Sequence, residues 1–257
     1  MELGEVWRLI GIETHDAYTN MAIDEALMRL RAVGRAPNTI RLYKWRPSAV
    51  SIGFFQSVEE EVDVGACAEL GVDVVRRMTG GGAVYHDSEG ELTYSLVVDA
   101  GNPKVPPDFL GSYRVLCDGI VRGLRSLGLD ARFHPVNDVV VGGRKISGSA
   151  QTRRMGAILQ HGTVLIRADV SKMFRVLRVP DEKLRDKMIS AAHERVTSIE
   201  RELGRGVGFE EVFEALRRGF EEALGIALEG GSLSEEERSL AMELRGKYSS
   251  REWTYMR

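Results

Sequence analysis

The run DVVVGGRKISGSA (138–150) sets two extended segments on either side of Gly142-Gly143. Two glycines in that place suit a two-residue hairpin turn, which needs positive φ at both positions. A hairpin makes its strands antiparallel neighbours, so a chain containing one departs from the strict strand–helix alternation of a parallel sheet. Other runs fit the same scheme. TIRLYKW (39–45) and SAVSIGFF (48–55) are parted by Arg46-Pro47, and VDVVRRM and AVYHD flank Gly80-Gly81-Gly82. ELTYSLVVD (91–99) alternates as a half-buried strand should, and ILQHGTVLIRAD reads as a further strand.

Helices fill the remainder. NMAIDEALMRLRAV (20–33) turns Met21, Leu27, Leu30 and Val33 towards one side, and a helix over about 109–128 ends at Gly128. From Val170 onward the pattern is mostly helical. Phe209, Val212, Phe213, Leu216, Phe220 and Leu224 mark one helical face, and Ser234 with Glu237 form a capping box for the next helix. GRGVG (204–208) reads as a flexible joint. The expected fold is α+β, a mostly antiparallel or mixed β-sheet with packed helices, in a single domain over 1–257 whose part beyond about 170 is helical.

A chain of 257 residues buries a core without disulfide or metal staples. Its 35 Lys and Arg against 38 Asp and Glu leave a net charge of -3, neither the basic bias of a nucleic-acid binder nor the acidity of a disordered tail. No apolar run approaches the ~18 residues of a membrane span, and MELGEVWRLIGIETHD lacks the charge-then-apolar layout of a leader. A cytoplasmic protein with no nucleic-acid or membrane partner is expected. Cys67 and Cys117 are too few for a metal motif or a disulfide framework. Cys117 has Tyr113, Leu116, Ile120, Leu124 and Leu127 at helical spacing, the surroundings of a buried thiol, and Cys67 falls on a short helix. The scarcity of Asn and Gln fits a thermophile.

Four segments can carry chemistry. In RRMTGGGAVYHD, Gly80, Gly81 and Gly82 let backbone N–H groups converge on an anion, with Arg76 and Arg77 before them and His86 after. The plainer reading is a tight turn between strands. It is not a phosphate-binding P-loop, which needs Lys-Ser or Lys-Thr and a helix after the last glycine. In GGRKISGSAQTRR, Lys145 stands before Gly148, Ser149 and Ala150, so its amine can reach an anion over unobstructed backbone, although a lone hairpin lysine is ordinarily just solvated. His161 in Gln160-His161-Gly162-Thr163 breaks an apolar strand, and Asn137-Asp138 offers an amide and a carboxylate that equally suit a turn.

In this order the four segments closely resemble the catalytic domain of the lipoate-protein ligase and octanoyltransferase family, and the likeness runs from NMAIDEAL to KYSSREWTYMR. The resemblance implies a lipoate-protein ligase catalytic subunit. Such an enzyme joins lipoate to ATP as lipoyl-AMP and passes the lipoyl group to a lysine of a lipoyl carrier domain, of a 2-oxoacid dehydrogenase E2 or a glycine cleavage H protein. Lys145 then contacts the acyl carbonyl and phosphate as the catalytic cation. Arg77, Thr79, the three glycines, His86, Gly148, Ala150 and His161 border the acyl substrate. Asn137 and Asp138 lie near the nucleotide, with Asp138 the candidate Mg²⁺ ligand. Many bacterial ligases carry an added C-terminal domain, so a separate small accessory protein is expected here.

Octanoyltransferases of the same fold use a cysteine as acyl carrier, and neither Cys67 nor Cys117 matches the family nucleophile. That reading is the alternative. It is favoured by ELTYS and GSAQTRR, and by Asp87-Ser88-Glu89-Gly90-Glu91 where ligases usually read D-x-G-N. Biotin ligase shares the fold but has a glycine motif with interleaved arginines. A non-catalytic lipoate or lipoyl-domain binding module is the reading from another class.

Overall fold

A computed structural model describes residues 4–178 and 185–257. The strands are β1 (Glu5–His15), β2 (Thr39–Trp45), β3 (Ala49–Ile52), β4 (Asp73–Arg76), β5 (Val84–His86), β6 (Glu91–Asp99), β7 (Ala131–His134), β8 (Asp138–Val141), β9 (Arg144–Arg154), β10 (Ala157–Leu165) and β11 (Ile226–Gly231). Between and after them run the helices α1 (Ala17–Ala32), α2 (Val58–Glu61), α3 (Val64–Leu70), α4 (Phe109–Ser126), α5 (Val170–Val176), α6 (Arg185–Arg195), α7 (Ile199–Leu203), α8 (Phe209–Leu224), α9 (Glu235–Ser249) and α10 (Arg251–Thr254).

Eight strands make one mixed sheet in the order β11-β1-β2-β6-β10-β9-β8-β7, and β4-β3-β5 make a second, smaller one. The hairpin at Gly142-Gly143 forms as expected, with φ of 55° and 77°. Pairing is antiparallel from β2 across to β7, whereas β1 is parallel to both β2 and β11. Neither β1 nor the edge strand β11 is legible in the sequence. β1 begins in a stretch where acids interrupt the apolar residues, and β11 reads IALEGG, whose last four residues are not fully buried.

Helices cover both faces of the large sheet. α4 and α8 pack Leu116, Ile120, Leu216 and Phe220 against Ile40, Leu42, Tyr94 and Leu96. On the opposite face, α1 and α9 bury Met21, Leu27, Leu244 and Tyr248 with Tyr43 and Val97. Two covered faces explain why β6, expected to be half-buried, is buried from Glu91 to Val98 on both sides. They also explain α1, where Asn20, Asp24 and Glu25 are as inaccessible as Met21, Leu27 and Leu30; Val33, assigned to the apolar side, lies past the helix end and is 66% exposed.

The later helices begin as the sequence requires. Ser234 and Glu237 form the reciprocal capping box, and Glu237 is also held by Arg8 of β1. GRGVG is no joint: Gly204 caps α7, Val207 is buried, and its N–H donates to the Glu200 carboxylate. The far C-terminus closes on β4. Arg76, fully buried, donates to the carbonyls of Gly53, Phe54, Gln56, Trp253 and Thr254, while the Trp253 indole N–H donates to the Arg76 carbonyl.

Arg76→Met leaves those five carbonyls without their shared donor. The expected loss is about 3–5 kcal/mol, the cost of breaking a buried charged hydrogen-bond set by removing one side. Urea denaturation reads it as a lower midpoint at unchanged slope.

Candidate functional site

One cavity of about 340 Å³ opens on the α1 face of the large sheet. Its floor comes from β2, β6, β10 and β9; its other wall comes from β3, β5 and the glycine loop between β4 and β5. Gly148, Thr163, Thr93 and Tyr43 are register partners across four adjacent strands. Three inter-strand spacings give the cavity a reach of roughly 14 Å, from Lys145 on β9 to Tyr43 and Trp45 on β2.

The first end is built on Gly148. A Cβ there would sit 2.6 Å from both Cε and Nζ of Lys145, so only glycine lets the lysine lie across this strand. Lys145 Nζ stands 2.7 Å from Asp138 Oδ1, a charge contact rather than an aligned hydrogen bond, and the side chain remains 44% exposed. Asn137 donates its amide N–H to the Ser149 carbonyl and accepts the Ser149 N–H on its own carbonyl, which holds β8 against β9 at the cavity mouth.

The glycine loop is held from behind by Arg77. Its Nε donates to Thr79 Oγ1 and the Gly80 carbonyl, Nη1 to the carbonyl and hydroxyl of Ser51, and Nη2 to the carbonyls of Gly80 and Gly82 at 2.7 Å each. Burial pushes this guanidinium down to about 10. Gly81 has φ +93°, and a Cβ on it would meet Arg77 Nη2 at 2.9 Å. The Gly80 and Gly82 carbonyls are thus consumed, while the backbone N–H groups of the three glycines have no backbone acceptor among the described residues.

Two histidines stand in the walls with parallel partners. His86 Nδ1 meets Glu91 Oε1 at 2.7 Å and its Nε2 meets Ser51 Oγ at 2.8 Å, and the ring stacks on Trp45 at 4.0 Å. His161 Nδ1 meets Asp24 Oδ2 at 3.0 Å and its Nε2 meets Thr79 Oγ1 at 2.7 Å. Burial depresses His161 below its ordinary value although Asp24 opposes this, so the ring is neutral at pH 7. An ionised carboxylate only accepts, so Nδ1 of His161 carries the proton and the Thr79 hydroxyl donates to Nε2. Burial alone would raise Asp24, but the His161 hydrogen bond and the Arg41 charge outweigh it and hold it low.

Of the residues singled out in the sequence, Arg77, Gly81, Gly82, His86, Asn137, Lys145, Gly148, Ala150 and His161 line this one cavity. Thr79, Gly80 and Asp138 stand behind it, engaged by His161, Arg77 and Lys145. Arg77 borders the cavity with its donors spent on Ser51, Thr79 and the loop carbonyls, so it acts as a scaffold for the wall. Among the described residues no three metal-ligating side chains converge, and Asp138 gives its carboxylate to Lys145. Sequence reasoning missed Asp24, Ser51 and Glu91. Only the polar break in NMAIDEAL and the acid opening ELTYS signalled two of them.

Neither thiol is part of the site. Cys117 is buried under Ser149 and Gln160, and burial raises it to about 11; burial likewise raises Cys67 to about 11 behind the small sheet.

The profile described as lipoyl protein ligase A/B catalytic domain matches residues 16–221. The chain belongs to that family. Octanoyltransferase LipM of Kyrpidia tusciae is 43% identical over 273 aligned positions, covering 98% of this chain and 99% of that protein. Its counterpart from Geobacillus kaustophilus is 40% identical over 277 positions at the same coverage. Both alignments are longer than the 257 residues here, so these relatives carry residues with no counterpart in this chain. Among solved structures, the bi-partite lipoate protein ligase of Thermoplasma acidophilum matches with a TM-score of 0.88 and 37% identity, over 98% of this chain and 96% of that one.

The expected ATP-dependent lipoate ligase is corrected by the octanoyltransferase relatives, alike over their whole length. That expectation came from eliminating a cysteine nucleophile. A missing thiol excludes an enzyme-bound thioester but not octanoyl transfer, because an acceptor amine is itself a nucleophile.

The His161 environment has a measurable pH signature. With its folded value depressed below 6.5, the unfolded chain takes up the proton first, so the stability tied to neutral His161 is complete above that value and falls as pH drops below it. Urea midpoints followed from about pH 7.5 down to about 5 are expected to fall more steeply for the native chain than for His161→Gln.

Proposed function

We propose that this chain transfers an octanoyl group from a carrier thioester to the amino group of a lysine on a lipoyl carrier domain. The observation that carries this reading is the full-length likeness to octanoyltransferases, and the cavity supplies the means. An eight-carbon chain lies along the apolar floor towards Tyr43 and Trp45, with its carbonyl at the Lys145 end.

The chemistry then follows from the residues present. Lys145, a cation over a bare stretch of backbone, donates to the carbonyl oxygen as charge gathers there. Glycine-loop N–H groups add fixed dipoles on the facing wall. The neutral acceptor amine attacks the carbonyl carbon, the new C–N bond forms and the C–S bond breaks. One proton leaves the nitrogen and one reaches the departing sulfur, giving an amide and a free carrier thiol. No acyl-enzyme is needed, in keeping with two cysteines whose thiols stay protonated and buried. A nucleophile carried on the residues that the relatives have in addition would have no equivalent here.

Octanoyl carrier protein and a lipoyl domain, mixed with the chain without ATP, are expected to give an octanoylated lysine by intact-mass spectrometry. Lys145→Ala should slow this at least ~100-fold while the protein stays folded, and Gly148→Ala, which displaces the lysine, should fall between. The double variant Cys67→Ala with Cys117→Ala is expected to keep the activity within about threefold. Product that forms only from free octanoate or lipoate with ATP would overturn octanoyl transfer. An octanoyl adduct on either cysteine would overturn the direct attack.

A further inference from the structure

Asp24 lies in the middle of α1, is 1% exposed, and is not part of the cavity wall. Its two oxygens divide their work. Oδ1 accepts from Arg41 Nη1 at 3.0 Å, and Oδ2 accepts from His161 Nδ1 at 3.0 Å and from the Tyr43 hydroxyl at 3.3 Å. Arg41 is itself fully buried and donates its other arm to Asn20. A carboxylate so enclosed has lost its water, and its cost is offset only because every partner is fixed. The neutral imidazole then passes one directional constraint onward, since Nε2 can only accept and Thr79 must point its hydroxyl at it.

Thr79 is the hinge of the glycine loop. Its carbonyl accepts the Phe54 N–H at 2.8 Å, and its hydroxyl also accepts from Arg77 Nε at 3.2 Å. A side chain on Gly80 or Gly82 would meet nothing within 4 Å, so these two are held by their backbone: by the carbonyl contacts with Arg77, by the Thr79 hydroxyl, and by Gly53, where a Cβ would collide with the Gly81 carbonyl oxygen. The wall facing Lys145 is therefore held from one side by an arginine and from the other by a relay that starts in α1.

We propose that Asp24 is a positioning residue for the glycine loop: acting through His161 on Thr79, it sets the wall against which the acyl donor binds, although it touches no substrate. The inference deepens the acyl-transfer reading above and rests on it for the donor, but the ordering of the loop is independent of what the cavity takes. The two are read separately. Amide hydrogen exchange at Phe54, whose N–H donates to the Thr79 carbonyl, reports the hinge of the loop, and KM against kcat for the octanoyl carrier protein reports the consequence.

In Asp24→Asn and in Thr79→Val, exchange of the Phe54 amide is expected to quicken about tenfold, the effect of one lost directional hydrogen bond, with KM raised by a similar factor and kcat held within about threefold. The double variant should do no more than either single one, because both cut the same relay. Should Asp24→Asn fail to fold with Arg41 left unpaired, His161→Gln keeps the Asp24–Arg41 pair and is expected to match Thr79→Val in exchange. Native exchange in Asp24→Asn or His161→Gln, or effects that multiply in the double variant, would overturn the relay. Quickened exchange in a chain that transfers no octanoyl group would leave the relay standing and remove the acyl-transfer reading.

Discussion

The site depends on one buried guanidinium in the cavity wall whose donors are all spent on the protein itself. Arg77 satisfies three loop and strand carbonyls and two hydroxyls at once, and burial lowers its readiness to stay charged. A backbone with no side chains has little reason to hold one shape, since each glycine gives up more freedom on folding than any other residue. The arginine converts that permissive stretch into a fixed wall by taking the Gly80 and Gly82 carbonyls, and the N–H groups of the glycines stay without a backbone acceptor among the described residues. Without it the triple glycine is a flexible turn.

What the sequence disclosed was mainly local. The Gly142-Gly143 turn and the Ser234–Glu237 cap rest on contacts within a few residues and the α8 stripe on a period within one helix, and all three stand as read. The central strand β6 was placed but judged half-buried, because its alternation of Leu and Val with Thr, Ser and Glu looks like one dry and one wet face. Both faces are dry. Its polar residues serve a buried network instead: Thr93 accepts from the Trp45 indole and donates to Glu91. Polarity in a strand marks water or a site, and only the packing of α1 distinguishes the two. β11 escaped notice for the opposite reason, since its parallel partner β1 lies more than two hundred residues earlier.

The candidate site was legible as a set of segments and less so as a set of roles. Lys145, Gly148, His86 and His161 line one cavity, as their shared motif order implied. The resemblance places Arg77 beside the substrate and Asp138 near a nucleotide, and their charges meet Ser51, Thr79 and the loop carbonyls in one case and Lys145 in the other, contacts no motif discloses. The lack of a matching cysteine points to a ligase and ELTYS with GSAQTRR point to a transferase, and the octanoyltransferase relatives side with the second. Electrophile and amine can both arrive on carriers, and the protein then supplies only placement and field.

The clamp between Arg76 and the segment around Trp253 spans 177 residues of sequence. During synthesis, β4 leaves the ribosome long before the indole that pairs with its last residue exists. Arg76 must wait with two of its five carbonyl acceptors missing, so the end of β4 that leads into the glycine loop takes its final form only after α10 has emerged, and a nascent chain carrying the glycine loop, the hairpin and the histidines is still an unfinished one.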